Sequence, residues 1–308
     1  MQSKRVVGLL KALINVGQRK KGVEYGPNFI SNTKVFESLS NYQIKDYGNV
    51  VKVIPHESNR FGEINNVEEF IEVTHEISQK VENMMKDNIT MGIMLGGDHS
   101  SATGSIIGHS RACKEHEMIV IWVDAHADIN PPGFSLSGNL HGCPLSFVCR
   151  DIRQEYSFDK IFDSISPCIE TKNIAYVGLR DLDDKEIEIL DNFKILNYSS
   201  KRVEEKGIKA VMDEIMDKLN PKNDKKIHLS FDIDSLDPVY APSTGTCVNG
   251  GITMREAIFI CNYLNESKNL NFMDLVEVNP LIGSLNDRKR TVENATSVIR
   301  ASLGQFYH

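Results

Sequence analysis

Two short motifs of this sequence concentrate acidic residues and histidines. Asp124, His126 and Asp128 are spaced two residues apart in the segment DAHAD, and Asp232 and Asp234 have the same spacing in FDIDSLDP. In an extended chain, residues at i, i+2 and i+4 share one face. Carboxylates held on one face repel each other unless a cation lies between them. The two motifs therefore predict a metal site.

A third motif, GGDHS, places His99 after two glycines that permit a tight turn. The three motifs give six candidate ligands, and their four carboxylates exceed what one ion needs. Two ions about 4 Å apart can share a hydroxide and lower the pKa of its parent water towards neutrality. An oxygen-rich set with two imidazoles suits Mn²⁺ better than Zn²⁺, which favours four-coordinate nitrogen and sulfur sites. We therefore predict two Mn²⁺ per chain, held by His99, Asp124, His126, Asp128, Asp232 and Asp234.

Each motif alone also has an ordinary structural interpretation. A single Asp-x-Asp is usually a turn or a helix cap, and GGDHS could be only a helix N-terminus. Three such motifs at three strand ends make the metal site the better interpretation. Five further histidines are expected to have no part in the chemistry: His56, His75, His109, His116 and His228.

The elements that carry these motifs are short apolar runs alternating with longer amphipathic segments. We predict strands at 4–10, 50–54, 91–95, 118–123, 173–178, 193–197, 226–231 and 271–277, and helices at 27–40, 66–86, 100–116, 184–191, 202–219, 253–267 and 288–304. The strands lack polar alternation, which indicates burial on both faces. Helices between such strands indicate a parallel sheet covered on each side. We predict one three-layer α/β/α domain over residues 1–308.

The candidate residues come directly after the predicted strands. The three motifs follow 91–95, 118–123 and 226–231, Asp181 and Asp183 follow 173–178, and Glu277 ends 271–277. In open α/β sheets, ligands bind outside the carboxyl ends of the strands. The sequence therefore predicts that five strand ends supply acids and histidines to one edge of the sheet.

The bulk composition limits the classes of molecule that this protein is expected to bind. The net charge of −7 gives no electrostatic reason to bind nucleic acid or anionic membranes, and no apolar stretch approaches the ~20 residues of a membrane span. Six cysteines without a Cys-x-x-Cys pair are typical of reduced thiols in a cytosolic protein. We expect a cytoplasmic protein whose partner is a small-molecule substrate.

Taken together, the motifs resemble the signatures of the ureohydrolase family, which includes arginases, agmatinases and formiminoglutamases. The resemblance rests on residues 96–100, 124–128 and 230–238 and extends from about 17 to 304; the segments 22–27, 137–142 and 178–183 resemble arginases in particular. It implies an arginase/deacetylase-like domain with an eight-stranded parallel sheet. It also implies that Asp124 and Asp232 bridge the two ions.

The same resemblance assigns expected roles around the metal pair. It implies that Asn130 and Ser137 receive the α-carboxylate of L-arginine, with Ser135 standing for a threonine, and that Asp183 receives the α-ammonium. It implies proton transfer by His141 and contacts of Glu277 and Thr246 with the guanidinium. Asp181 and Glu186 are further candidate substrate contacts. The segment 131–136, PPGFSL, departs from the threonine-rich family pattern, which leaves the details of carboxylate recognition open.

Several of these residues also have an ordinary structural interpretation. Glu277 could be a helix-capping or surface acid, His141 could merely fill a loop, and Asp181 and Asp183 could cap the helix at 184–191. Their expected functional roles therefore depend on the resemblance.

The activity implied by the resemblance is manganese-dependent hydrolysis of L-arginine to L-ornithine and urea by a metal-bridging hydroxide, with Asp128, His141 and Glu277 as catalytic residues. Alternatives are an agmatinase or guanidinobutyrase, or a catalytically silent regulatory protein, against which the six intact ligands argue. A deacetylase of this fold would be expected to need one zinc and a catalytic tyrosine. Arg255-Glu256 matches a pair that helps to join three subunits in arginases and predicts a homotrimer; an ordinary helix-surface pair is the alternative.

Overall fold

The computed structural model describes residues 5–54, 60–113 and 118–306. One sheet contains eight strands: β1 (Arg5–Ile14), β2 (Tyr42–Lys52), β3 (Met91–Gly96), β4 (Met118–Val123), β5 (Ile174–Leu179), β6 (Leu196–Ser199), β7 (Lys226–Asp232) and β8 (Leu270–Val276). Their order is β2-β1-β3-β8-β7-β4-β5-β6, and all neighbours run parallel. The predicted eight-stranded parallel sheet is confirmed. The segments Arg60–Phe61 and Ile64–Asn65 form a separate antiparallel pair.

Helices cover both faces of the sheet. They are α1 (Gly26–Ser31), α2 (Val67–Lys86), α3 (Ser101–Cys113), α4 (Pro144–Val148), α5 (Arg150–Glu155), α6 (Asp184–Asn192), α7 (Ser200–Lys206), α8 (Ile208–Leu219), α9 (Met254–Glu266) and α10 (Leu285–Ser302). Buried side chains form two hydrophobic cores, one on each face of the sheet. Helices α1 and α7 to α10 contribute to one core, and α2 to α6 contribute to the other. Successive strand residues enter opposite cores, as Ile121 and Trp122 do on β4. The three-layer α/β/α class is therefore confirmed.

The element boundaries differ from the sequence prediction where the apolar signal is weak. The strand predicted at 50–54 begins at Tyr42, because β2 lies at the sheet edge and is largely exposed. The helix predicted at 202–219 is broken at Gly207, whose φ is +80°. The helix predicted at 27–40 ends at Ser31. The helix predicted at 100–116 is seen to Cys113, and 114–116 lie outside the described residues.

A close backbone approach holds the β3 loop at the carboxyl edge. A Cβ atom on Gly97 would lie 1.9 Å from the carbonyl oxygen of Ile14, so only glycine fits there. The Gly97 amide donates to Ala12 of β1, and Asp98 accepts from the amide of Gly17 at 2.9 Å. These contacts fix the turn that carries His99.

Candidate active site

Four adjacent strands deliver the candidate ligands to one place. β3, β8, β7 and β4 are consecutive in the sheet, and His99, Glu277, the Asp232–Asp234 segment and the Asp124–Asp128 segment lie at their respective carboxyl ends. The sequence predicts this edge, but it does not predict that these four strands are neighbours. Their adjacency places all six candidate metal ligands in one cluster.

The first ligand group surrounds His99. The Nδ1 atom of His99 lies 3.1 Å from Asp124 Oδ2, 3.2 Å from Asp128 Oδ2 and 3.0 Å from Asp232 Oδ2, and all four side chains are buried. This Nδ1 atom has no hydrogen-bond partner, whereas Nε2 lies 2.9 Å from Ser230 Oγ. An imidazole lone pair that faces three carboxylate oxygens is repelled unless a cation lies between them. The donor set therefore fits a metal ion.

The second ligand group surrounds His126. Its Nδ1 atom lies 3.3 Å from Asp124 Oδ1 and 3.3 Å from Asp234 Oδ2. Asp124 thus offers one carboxylate oxygen to each group. Both sets, His99–Asp124–Asp128 and Asp124–His126–Asp234, bring their donor atoms within 4.8 Å of one another. The geometry suits two adjacent cations.

The electrostatics of the cluster show how much negative charge it holds. Burial, and then the charge of Asp124, raises the pKa of Asp128 to about 6. Burial, and then Asp234 and Asp124, raises the pKa of Asp232 well above its usual range. For His99, burial lowers the pKa, but the adjacent carboxylates of Asp124, Asp128 and Asp232 outweigh burial and raise it. The cluster therefore favours positive charge, and a divalent cation would displace protons when it binds.

Two residues of the site have a backbone conformation that is uncommon for non-glycine residues. The φ angle is 49° at Asp128 and 66° at Glu277. Such left-handed conformations persist only where the surroundings enforce them, and they cluster at functional sites. Both residues follow the ends of central strands, β4 for Asp128 and β8 for Glu277.

A cavity of about 210 Å³ opens beside the ligand groups. Its lining includes eight of the nine predicted substrate contacts: Asn130, Ser135, Ser137, His141, Asp183, Glu186, Thr246 and Glu277. The ninth, Asp181, is outside the lining; its exposed carboxylate lies 3.7 Å from His126 Nε2. The ligand residues His126, Asp128 and Asp232 also line the cavity, so a molecule within it would contact the candidate metal site.

Glu277 forms the inner end of this cavity. Its Oε1 accepts from the amide of His99 at 2.8 Å and lies 3.5 Å from His141 Nδ1, while Oε2 accepts from Gln18 Nε2 at 2.6 Å. Burial raises the pKa of Glu277, but His141 and the amide of His99 outweigh it and lower the pKa. Glu277 is only 2% exposed, so the surface-acid alternative is wrong. An ionised carboxylate in this position can bind a planar cation in two hydrogen bonds.

Asp183 lies at the outer end and caps α6. Its Oδ1 accepts from the amides of Lys185 and Glu186 at 3.1 and 3.0 Å, which confirms the capping alternative for this residue. Its Oδ2 accepts from Asn130 Nδ2 at 2.6 Å, within the cavity lining. Asp181 does not cap the helix. Glu186 closes the capping box through the amide of Asp183, and burial, then Asp128 and Asp183, raises the pKa of Glu186 to about 8.

The two predicted serines belong to one loop at the cavity mouth. Ser135 Oγ donates to the carbonyl of Asn139 at 3.3 Å, and Ser137 Oγ accepts from the amide of Asn139 at 3.2 Å. Asn139 itself lines the cavity and was missed by the sequence analysis. Phe134 and Leu136 of the same loop are exposed.

Two more residues that position the site were missed. Gln18 holds Glu277, and Arg180 donates to the carbonyls of Asp234, Leu236 and Val248. Each follows the end of a strand, β1 for Gln18 and β5 for Arg180. The strand-end signal that indicated the acids would also have found Arg180, but Gln18 lies eight residues beyond the strand predicted at 4–10.

The described residues that the remaining predictions concern do not line the cavity. Among the five other histidines, His56 and His116 lie outside the described residues, and His75 is exposed and pairs with Ser164. His109 and His228 are buried and contact each other at 3.1 Å. Glu256 closes the capping box of α9 with Thr253, and Arg255 is exposed.

Comparison with known proteins relates this geometry to a family. The sequence profile of the arginase family matches residues 6–304. Human mitochondrial arginase-2 is 39% identical over 303 residues, which cover 97% of this chain and 85% of the human protein. No helix within the described residues is long and apolar enough to cross a membrane.

Solved structures agree with the sequence comparison. The arginase of Bacillus caldovelox superposes with a TM-score of 0.86 at 28% identity and 99% coverage of both chains. The arginase of Entamoeba histolytica, solved in complex with L-ornithine, gives a TM-score of 0.84 at 29% identity and covers 98% of this chain and 100% of that one. The chain therefore belongs to the arginase family of ureohydrolases.

Proposed function

We propose that this protein is an arginase, which hydrolyses L-arginine to L-ornithine and urea with two Mn²⁺ per chain. The observation that carries the proposal is the position of Glu277. Its buried, ionised carboxylate lies at the inner end of a cavity whose wall includes the candidate metal ligands. Asp183 lies in the same lining and is partly exposed, so it is available for the other end of a substrate. Similarity to arginases over nearly the whole chain supports the assignment.

The metal site uses residues that the cluster already brings together. One ion would be held by His99, Asp124, Asp128 and Asp232, and the other by Asp124, His126, Asp232 and Asp234, with Asp124 and Asp232 shared. A pair of divalent ions supplies Lewis acidity and lowers the pKa of a shared water. Manganese is favoured because four carboxylates and two imidazoles form an oxygen-rich set.

The protein residues orient the reacting groups. Glu277, held by Gln18 and by the amide of His99, pairs with the guanidinium in two hydrogen bonds. Thr246 contributes a hydroxyl next to Asp234, at 2.9 Å. Asp128 accepts a hydrogen bond from the attacking water and aims it at the guanidinium carbon. These contacts fix the geometry of attack.

His141 is placed to move the proton that the leaving amine requires. It lines the cavity, and its Nδ1 is 3.5 Å from Glu277. Burial lowers the pKa of His141, but Glu277 outweighs it and raises the pKa, so the imidazole can carry a proton near neutrality. Ornithine then leaves as the protonated amine.

The outer end of the cavity would hold the α-amino acid group. Asn130, Ser135 and Ser137 meet the α-carboxylate, and Asp183 meets the α-ammonium through the oxygen that now contacts Asn130. Asp181 and Glu186 are kept as further candidate substrate contacts, Glu186 within the cavity lining and Asp181 outside it. Agmatine lacks only the α-carboxylate, so discrimination depends on the first three residues. Their loop lacks the threonines of the family pattern, which keeps an agmatinase or guanidinobutyrase as the second candidate.

The proposal also covers the domain organisation, the oligomeric state and the cellular location. A single catalytic domain over 1–308, a homotrimer joined near Arg255 and Glu256, and a cytoplasmic location are proposed on the resemblance and the composition. The name of human arginase-2 shows that relatives also occur in mitochondria.

The deciding experiment measures urea release from arginine, agmatine and guanidinobutyrate by the Mn²⁺-loaded protein. Unpaired polar groups reject a substrate analogue strongly, so kcat/KM for arginine should exceed that for agmatine by at least ~10³-fold. Equal efficiency on agmatine would contradict the arginase assignment and retain ureohydrolase chemistry. No urea from any of the three would favour the silent regulatory protein.

A further inference from the structure

A row of polar side chains crosses the buried layer between the sheet and α3. His228 and Ser230 lie two residues apart on β7, and Asp274 on β8 is paired with Ser230 in the sheet. Ser105 and His109, four residues apart on α3, share a helix face and contact this row. All five side chains are fully buried in a layer that is otherwise largely apolar. None has a part in the proposed chemistry.

The row is a continuous hydrogen-bond chain that ends on His99. The Nε2 atom of His99 lies 2.9 Å from Ser230 Oγ, which lies 3.4 Å from Asp274 Oδ2. The same Asp274 oxygen lies 2.8 Å from His228 Nε2, and His228 Nδ1 lies 3.1 Å from His109 Nδ1. The chain thus connects the first ligand group with the interior of the molecule.

The hydrogen-bond partners of Ser230 favour one tautomer of His99. Asp274 Oδ2 accepts from Ser105 Oγ, Ser230 Oγ and His228 Nε2. When Ser230 donates its one hydroxyl proton to Asp274, which as a carboxylate can only accept, its lone pair accepts from Nε2–H of His99. A neutral imidazole protonated on Nε2 carries its lone pair on Nδ1. That is the atom that faces the three carboxylates of the first ligand group.

The two ligand groups differ in what the Nε2 atom of their histidine contacts. The Nε2 atom of His126 faces the exposed carboxylate of Asp181 at 3.7 Å and has no comparable buried chain within the described residues. Asp274 also lowers the stability of the fold, because its Oδ1 atom is buried without a hydrogen-bond partner. Stability therefore does not explain a carboxylate at this position.

We propose that Asp274 is a positioning residue for the metal centre. Through Ser230 it fixes His99 in the orientation and tautomer that bind the ion of the His99–Asp124–Asp128 group. Residues that orient a metal-binding histidine in this way typically change metal affinity by about 10- to 100-fold when they are removed. The inference rests on the proposed binuclear site, and it predicts unequal effects on the two ions.

The test titrates metal-free protein with Mn²⁺ and follows free Mn²⁺ by its electron paramagnetic resonance signal. Wild type should bind two ions per chain. Asp274→Asn and Ser230→Ala should weaken one ion by about 10- to 100-fold and leave the other unchanged. The matched control is Ser105→Ala, which removes a hydrogen bond to the same Asp274 oxygen but leaves the path to His99 intact; it should bind both ions as wild type does.

The outcomes separate this inference from the proposed function. Wild-type affinity in either Asp274→Asn or Ser230→Ala would overturn it, as would an equal loss in Ser105→Ala, because the effect would then come from general disturbance of the core. A wild type that binds one ion would contradict the binuclear site, and the affinity of that ion in Asp274→Asn would still decide the role of Asp274. Should Asp274→Asn not fold, Ser230→Ala decides alone.

Discussion

Asp183 has two functions that one substitution can separate. It caps α6 through Oδ1, and its Oδ2 contacts Asn130 at the outer end of the cavity. Asparagine caps helices as well as aspartate does, whereas alanine does not. Asp183→Asn therefore keeps the cap and removes the charge proposed to bind the α-ammonium. The new amide nitrogen would face Asn130 Nδ2, but Asn130 Oδ1 is free to accept after the Asn130 amide rotates.

The two effects have different sizes. A hydrogen bond to a charged group contributes about 1.5–3 kcal/mol, so losing it should lower kcat/KM for arginine by roughly 10- to 150-fold. Asp183 is partly exposed, which favours the lower half of this range. Loss of the cap in Asp183→Ala costs about 1 kcal/mol of folding free energy, which in a chain of this size lowers Tm by roughly 2–4 °C at most.

The assay compares urea release and thermal unfolding for three Mn²⁺-loaded variants. Asp183→Asn should lose efficiency on arginine at nearly unchanged Tm, and Asp183→Ala should lose both. Ser284→Ala removes the capping box of α10 away from the cavity and should lower only Tm. Wild-type kinetics in Asp183→Asn would refute the reasoning and leave Asp183 as a helix cap alone.

Four further predictions concern other parts of the site. Chelation should abolish hydrolysis and lower Tm together, and Mn²⁺ should restore both; full activity with one ion per chain by metal analysis would contradict this. Asp128→Ala should lower kcat by at least ~10²-fold, and retained activity at full metal load would remove Asp128 from the site. Gln18→Leu should raise KM for arginine by about 10-fold or more at little cost in Tm, because Glu277 loses a partner; an unchanged KM would show that Glu277 does not need it. The pKa of Glu186 is raised to about 8, so its ionisation opposes folding and stability falls as pH rises from about 4.5 through 8; metal-free Glu186→Gln should gain Tm over wild type from pH 6 to 9, and a constant difference would argue against that pKa.

The ligands were predictable from sequence because their geometry is local. Alternation along an extended chain puts Asp124, His126 and Asp128 on one side whatever the rest of the fold does. Apolar runs likewise located all eight strands of the sheet, apart from shifted ends at β1, β2 and β6. Buried central strands give a continuous apolar signal, and the exposed edge strand β2 does not.

Contacts that depend on strand order were beyond the sequence. Gln18 and Glu277 are 259 residues apart and meet because β1, β3 and β8 are neighbours. His228 was expected to have no part in the chemistry, since nothing local relates it to His99; it is connected through Asp274, which contacts His228 Nε2 and is paired with Ser230 in the sheet. Asp181 and Asp183 have the same local pattern, and only the start of α6 distinguishes the cap from the exposed acid.

The cluster of buried acids destabilises the metal-free fold, and packing elsewhere must offset this loss of folding free energy. Asp124, Asp128, Asp232 and Asp234 are buried close together, and Asp128 and Glu277 adopt left-handed backbone conformations that cost about 1–3 kcal/mol each. Two large apolar cores on either side of the sheet hold the strand ends in place despite this repulsion. A bound cation relieves the repulsion only when the strands are already adjacent. The metal site is thus prepared by the sheet, and the same prepared charge that favours cation binding opposes folding of the metal-free protein.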